Sequence, residues 1–212
     1  VLMQACQGSK VLYLFSGPAQ AEGGIPALCA RVKLGCVALD TVIDPTENGE
    51  HDLLVEARWV DLERRLRAGE FSLVIASPPC STFSRARGKG VGPRRLRSAA
   101  LPYGFPKAWL KRKEHKQLRE GNYLAVRTAR FLELTRQLGV PFVFENPQPF
   151  EGESSMFLLR EYADLANSPG VEVADFDQCC FGAESVKPTR FLLHKCRGDR
   201  FRCRCNHKRR KW

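Results

Sequence analysis

The chain has 212 residues, a length that suits one well-buried domain and is short for two. Hydrophobic residues make up 43% and charged residues 27%, as in ordinary globular proteins, and no apolar run approaches the roughly 20 residues that span a bilayer. The first nine residues lack both a basic segment and an apolar core, so no signal peptide is expected. We therefore expect no membrane partner and, by default, a monomer.

The net charge of +11 is concentrated in two segments. Twelve Lys or Arg lie between Arg85 and Arg119 with one acid, and nine lie between Lys195 and Lys211 with one acid. Either run alone is as typical of a solvated face or tail as of a binding surface, but two runs around one core favour a polyanion partner such as nucleic acid. Nine cysteines without a disulfide-like framework favour a reducing, intracellular location, and a nucleic-acid partner is compatible with a nuclear one.

Short apolar runs predict strands at 11–15, 36–39, 71–76, 141–145, 171–176 and 191–193. Helices are expected from Gly23-Gly24 to about Leu34, and over 62–68, 122–138 and 154–166, whereas 85–120 is predicted to be a long basic loop with room for one short helix. This alternation predicts an α/β fold with a doubly wound, mostly parallel sheet of the Rossmann-like type. The predicted domain spans 10–193 and is followed by a basic, Cys-rich tail, 194–212. Ligands of such sheets bind at the carboxyl ends of the strands.

Two motifs follow the first and second strands. LFSGPAQAEGG, residues 14–24, places a Gly-rich turn where the backbone can approach a cofactor closely. Asp40 ends the second strand, where a carboxylate usually accepts ribose hydroxyls, although a turn or helix-capping role is the alternative.

Three further motifs carry chemistry. SPPCSTFS, residues 77–84, displays Cys80 after two prolines, where it can act as a thiolate nucleophile; a buried structural cysteine is the alternative. Glu145 begins Glu-Asn-Pro at the end of the fourth strand, where it suits a general acid or a base-edge reader, and capping or ion pairing is its alternative. KPTRF, residues 187–191, offers Arg190 for a carbonyl oxygen or a phosphate.

Four motifs occur along the chain in the order Phe-Ser-Gly, Pro-Pro-Cys-Ser-Thr-Phe-Ser, Glu-Asn-Pro and Lys-Pro-Thr-Arg. This ordered set resembles the motifs of cytosine-C5 DNA methyltransferases. In that family the usual forms are F-x-G-x-G, P-C-Q-x-F-S, E-N-V and Q-R-x-R. The resemblance covers residues 11–193. It implies transfer of a methyl group from S-adenosylmethionine to C5 of cytosine in DNA, on a base taken out of the stack.

The resemblance also implies a role for individual residues. Cys80 attacks C6, Glu145 holds the N3 and amino edge of the base, and Arg190 contacts O2 or steadies the loop. Cofactor contacts are implied for Phe15, Ser16, Gly17, Asp40 (ribose), Asp61 (adenine amino group) and Pro79. The basic loop faces DNA, and the residues expected to contact nucleic acid are Ser84, Arg85, Arg87, Lys89, Arg94, Arg95 and Arg97.

The chain departs from the family pattern in several places. The turn after Gly17 is longer, Pro147 replaces Val, Lys187 stands where Gln is usual, and only about twenty residues follow the last strand, so no target-recognition domain is present in this sequence. A catalytically inactive nucleic-acid-binding remnant of this fold is therefore the main alternative. An amino (N4/N6) methyltransferase is the other, because Ser-Pro-Pro also begins its signature, although Cys80 takes the place of the aromatic residue that such enzymes need. RNA stays open as a substrate because a tRNA-methylating branch shares the motifs.

Four tail residues, Cys196, Cys203, Cys205 and His207, raise the possibility of zinc. One residue separates Cys203 from Cys205 where two or more are usual, and the surrounding cations stabilise thiolates without a metal. The tail is therefore predicted to bind no metal.

Overall fold

The computed structural model describes residues 9–17, 24–40 and 52–206. Six strands lie in these ranges: β1 (Lys10–Leu14), β2 (Gly35–Leu39), β3 (Phe71–Ala76), β4 (Phe142–Pro147), β5 (Val171–Asp177) and β6 (Pro188–His194). The α-helices there are α1 (Ile25–Arg31), α2 (Glu56–Arg67), α3 (Arg112–Gln137) and α4 (Arg160–Ala166).

The six strands form one sheet in the order β2-β1-β3-β4-β6-β5. The pairs β1–β2, β1–β3 and β3–β4 are parallel, and β6 runs antiparallel to both β4 and β5. Five strands therefore share one direction, which confirms the predicted α/β fold with a mostly parallel sheet. The carboxyl ends of β1, β2, β3 and β4 meet at one edge.

The core lies between one face of the sheet and α2, α3 and α4. Alternate strand residues point into it, among them Leu12, Val74, Phe144 and Leu192, each fully buried. On the opposite face, α1 packs against β2, and its Cys29 lies beside Cys36. Helices therefore cover both faces, as the doubly wound prediction requires.

Three helices differ from their predicted bounds. α2 begins six residues earlier than expected and α3 ten residues earlier, and 3₁₀ turn Met156–Leu158 precedes α4 where one helix was predicted. The first half of α3 is mostly solvated, so it has no apolar period for sequence analysis to detect. A local contact stabilises its start, because the Lys111 backbone N–H donates to the Glu114 carboxylate at 2.8 Å.

None of the helices that the structure describes is long and apolar enough to cross a membrane.

Candidate active site

Cys80 lies just beyond the carboxyl end of β3. The path to it is held by Asn146 on β4, whose side-chain amide donates to the Pro78 carbonyl at 3.1 Å. A turn follows, closed by a 2.8 Å hydrogen bond from the Phe83 N–H to the Cys80 carbonyl. The Cys80 side chain is half-buried, and the two prolines before it keep the chain extended beyond the strand.

Glu145 lies on the neighbouring strand at the same edge, because β3 and β4 pair in register with Ala76 opposite Phe144. Its carboxylate accepts a 3.4 Å ion pair from the Lys187 ammonium. Burial raises the pKa of the Cys80 thiol, and the negative charge of Glu145 raises it further, whereas the positive charge of Lys187 lowers it. The three groups therefore form one electrostatic unit.

A cavity of about 450 Å³ opens beside Cys80. This volume lies in the range of about 300–1,000 Å³ that ligand pockets occupy. Its walls come from the turn after β3, the end of β4 and the start of β6. Among the lining residues are Cys80, Ser84, Arg85, Lys89, Asn146, Phe150, Met156 and Lys187.

Arg190 does not join this group. It pairs with Asp175 through two hydrogen bonds, of 2.6 and 2.8 Å, and its guanidinium lies 5.4 Å from the Phe157 ring centroid. In the β4–β6–β5 register Arg190 stands opposite Asn146 and Asp175, whereas Glu145 stands opposite Phe191 and so points to the other face. The structure thus places Arg190 beside Asp175, and the cation beside Glu145 is Lys187.

The basic loop contains a buried arginine that joins it to the turn of Cys80. Arg97 is 1% exposed and donates to Thr82 Oγ1 at 2.9 Å, to the Pro102 carbonyl at 2.8 Å and to Asn122 Oδ1 at 2.6 Å. Its guanidinium lies 3.7 Å from the Phe83 ring centroid. Burial, and to a lesser degree the charge of nearby Arg87, lowers the pKa of Arg97 to about 9.

Two further arginines of the loop are also engaged inside the protein. Arg87 is buried and donates to the Arg94 carbonyl at 3.0 Å, and Arg95 pairs with Glu153 at 2.9 Å. Arg87 and Arg97 therefore support the loop from within, and the structure buries both side chains of this predicted nucleic-acid-binding set. The exposed members of the predicted set are Arg85 and Lys89, which line the cavity, and Arg94.

The predicted cofactor residues Phe15, Ser16 and Gly17 follow β1 at the same edge as Cys80. The Ser16 N–H donates to the Leu39 carbonyl at 3.1 Å, which brings this turn to the end of β2, just before Asp40. Gly17 has φ +70°, and a Cβ built there meets no described atom within 4 Å. Pro79 is exposed beside Cys80, whereas residues 18–23 of the predicted Gly-rich turn lie outside the described residues.

Asp61 lies in the middle of α2, where it pairs with Arg64 at 2.6 Å and with Arg65 at 3.7 Å. A helix in this fold runs away from the carboxyl edge of the sheet, and six residues of helix span about 9 Å. Asp61 thus lies about one and a half turns into the helix. Asp52 precedes α2, and its carboxylate accepts the Leu54 N–H at 2.8 Å.

Tyr13 is a further residue that sequence analysis missed. Its pKa is raised by burial and by the charges of Glu145 and Asp40, whereas a hydrogen bond with Ser77 lowers it. The residue therefore links the predicted cofactor side of the edge to Glu145. A tyrosine within an apolar strand is usually a core residue, so the local sequence gives no sign that Tyr13 lies near the site.

The Cys-rich tail returns to the sheet beside Cys179 and Cys180. The Asp177 N–H donates to the Cys203 carbonyl at 3.0 Å, and the Cys205 N–H donates to the Asp177 carboxylate at 2.8 Å. Contact with Cys203 is the main cause that raises the pKa of Cys180 to about 12. Within the described ranges no three Cys, His, Asp or Glu side chains are arranged to hold a metal ion, and His207 lies outside those ranges.

No protein-family model matches this chain, and no curated protein matches it significantly. The site described above therefore carries the functional argument.

Proposed function

We propose that this protein transfers a methyl group from S-adenosylmethionine to C5 of cytosine in DNA, with Cys80 as the nucleophile. The observation that carries the proposal is the meeting of Cys80 and Glu145 at the ends of neighbouring strands, with Lys187 ion-paired to Glu145 and a cavity beside the thiol. An amino methyltransferase has no use for this thiol and carboxylate.

The two side chains support separate parts of the chemistry. Cys80, as a thiolate, bonds to C6 of the ring and makes C5 nucleophilic. After C5 has received the methyl group, C5 loses its proton to water and the S–C6 bond breaks, which releases the thiolate. Protonated Glu145 donates to N3 and accepts from the amino group, which draws electron density from C6 and favours the attack. Because C5 and C6 are inaccessible inside a duplex, the base must leave the stack at a cost of a few kcal/mol. The cavity beside Cys80 supports this step, since it offers space for an extruded base.

The turn after β1 supports S-adenosylmethionine as the cofactor. The backbone at Gly17 is in the left-handed region, which glycine adopts without strain, and a glycine turn after the first strand of such a sheet is where a cofactor approaches the main chain. Asp40 at the end of β2 suits the ribose hydroxyls. When bound, S-adenosylmethionine supplies the methyl group.

The charge distribution supports nucleic acid as the partner. Arg85 and Lys89 line the cavity, and the exposed first half of α3 adds Arg112, Lys113 and Lys116. Cations on this surface can neutralise phosphates on either side of an extruded base.

The proposal is tested by trapping the protein on an oligonucleotide that contains 5-fluorocytosine, with S-adenosylmethionine present. Fluorine at C5 blocks the final elimination, so an attacking Cys80 stays bonded to the base and the complex resists denaturant. We expect an adduct that requires the cofactor and is absent from Cys80→Ala. Glu145→Gln should lower the rate of adduct formation by at least about 100-fold.

Cys196→Ala is the matched control, because Cys196 is also half-buried but lies after β6, at the opposite edge of the sheet. It should form the adduct at the wild-type rate. Absence of an adduct on DNA, with binding to DNA intact, would refute the proposal. An adduct on RNA alone would show that the substrate is RNA, with the same nucleophile and the same mechanism.

A further inference from the structure

Lys187 occupies an unusual backbone position directly before β6. Its φ is +28°, in the left-handed region that side chains other than Gly rarely adopt. Thr189 Oγ1 donates to the Lys187 carbonyl at 2.9 Å, and the Gln178 N–H lies 3.4 Å from the same carbonyl. The surrounding structure thus holds this residue in place, as is common for strained residues at functional sites.

The Lys187 side chain lies beside Glu145 and also lines the cavity that contains Cys80. Its ammonium lies 3.4 Å from Glu145 Oε1, and its side chain lines the same cavity as Cys80. The side chains of Lys187 and Glu145 are 47% and 19% exposed, so the pair is only partly screened by water. The arginine of the same motif, Arg190, is committed to Asp175.

We propose that Lys187 is a positioning residue for the methyl-transfer site: its ammonium holds the Glu145 carboxylate and stabilises the thiolate of Cys80. The inference rests on the function proposed above and extends it, because it assigns a role to Lys187 that the family resemblance gives to no residue at this place.

The physical need for a cation follows from the other groups that face the thiol. A thiolate at Cys80 and an ionised carboxylate at Glu145, on β4, would repel each other. Arg85 and Lys89, from the loop after β3, line the cavity as well, but the charge that opposes Glu145 at the Cys80 thiol is that of Lys187. Burial and Glu145 raise the pKa of the Cys80 thiol even with Lys187 in place, and removal of Lys187 would raise it further.

The test measures the rate at which iodoacetamide alkylates Cys80 as a function of pH, with the modified peptide quantified by mass spectrometry so that the other cysteines do not interfere. Lys187→Met should shift the alkylation profile to higher pH and slow the reaction at pH 7.5 by about threefold to tenfold. Lys187→Arg should restore the wild-type profile, and Glu145→Gln should shift it to lower pH.

Lys195→Met is the matched control, because it removes the same charge from the opposite end of β6. Its Cys80 profile should equal the wild-type profile. Far-UV circular dichroism during urea unfolding shows whether each variant is folded under the alkylation conditions. A wild-type alkylation profile in folded Lys187→Met would overturn the inference.

The alkylation assay separates this inference from the proposed function. If Lys187→Met shifts the profile but the wild-type protein forms no 5-fluorocytosine adduct, the electrostatic role of Lys187 stands and methyl transfer fails. If the adduct forms and alkylation is unchanged in Lys187→Met, methyl transfer stands and the role of Lys187 fails.

Discussion

Replacement of Arg97 by Met tests how the basic loop is joined to the turn of Cys80. The substitution keeps a long side chain over Phe83 but removes the donors that reach Thr82 Oγ1, the Pro102 carbonyl and Asn122 Oδ1. The Thr82 hydroxyl is both a donor and an acceptor, whereas the other two groups are acceptors alone, so two partly buried acceptors lose their donor.

The expected loss of stability can be worked from these contacts. Each buried acceptor without a donor costs about 1–3 kcal/mol, and loss of the contact between the guanidinium and the Phe83 ring costs about 0.5–2 kcal/mol. Removal of a buried charge with no carboxylate partner among the described residues offsets part of this cost. We expect a net loss of about 3 kcal/mol, which lowers Tm by about 6–12 °C in a domain of this size.

The assay is thermal and urea unfolding followed by far-UV circular dichroism, with iodoacetamide alkylation of Cys80 as a local readout. Arg94→Met is the matched control, since Arg94 is exposed and lies 3.9 Å from Glu114, and it should change stability by less than about 0.5 kcal/mol. Alkylation of Cys80 should be faster in Arg97→Met because the turn at 80–83 loses its support. Equal unfolding curves for the two variants would refute the supporting role of Arg97.

Three other substitutions test the packing and the surface charges. Gly104→Ala should destabilise the protein by about 3 kcal/mol or more in urea unfolding, because φ is +118° and a Cβ would meet the Leu118 side chain; a loss below about 1 kcal/mol would contradict this backbone. Tyr162→Phe should cost about 1–2 kcal/mol, since the buried hydroxyl donates to a carbonyl of α3 at 2.9 Å, and an unchanged Tm would show that this bond is not formed. Arg65 is the main cause that lowers the pKa of Glu70 from 4.5 to about 2, so the stability that Glu70 contributes is present above pH 4.5 and is lost as pH falls toward 2. Glu70→Gln should therefore be less stable than wild type at pH 7, by about 1 kcal/mol, and equally stable near pH 2; a difference that persists at pH 2 would exclude the ion pair as its cause.

Local sequence carried most of the information on the sheet. Each of the six predicted strands is present, because a short apolar run between turn residues has few alternatives to a buried strand. The sequence predicts the bounds of a helix less well where the helix is exposed to solvent. The start of α3 was missed because its first half carries charges on every side and is defined by the contact between Lys111 and Glu114.

The position of Cys80 and Glu145 at one edge also followed from sequence alone. Both residues come directly after apolar runs, and the carboxyl ends of parallel strands share an edge whatever the order of the strands. The displacement of Cys80 from the sheet depends on the two prolines before it, which act locally.

Tertiary structure alone decided which cation lies beside Glu145 and which cations face water. Arg190 and Lys187 are three residues apart in one motif, but the antiparallel register places Arg190 beside Asp175 and leaves Lys187 beside Glu145. Likewise Arg94 and Arg97 are equivalent in the sequence, and only the packing of the loop against α3 buries the second. A charge pattern records how many cations a segment has, whereas burial and pairing depend on contacts between residues far apart in the chain.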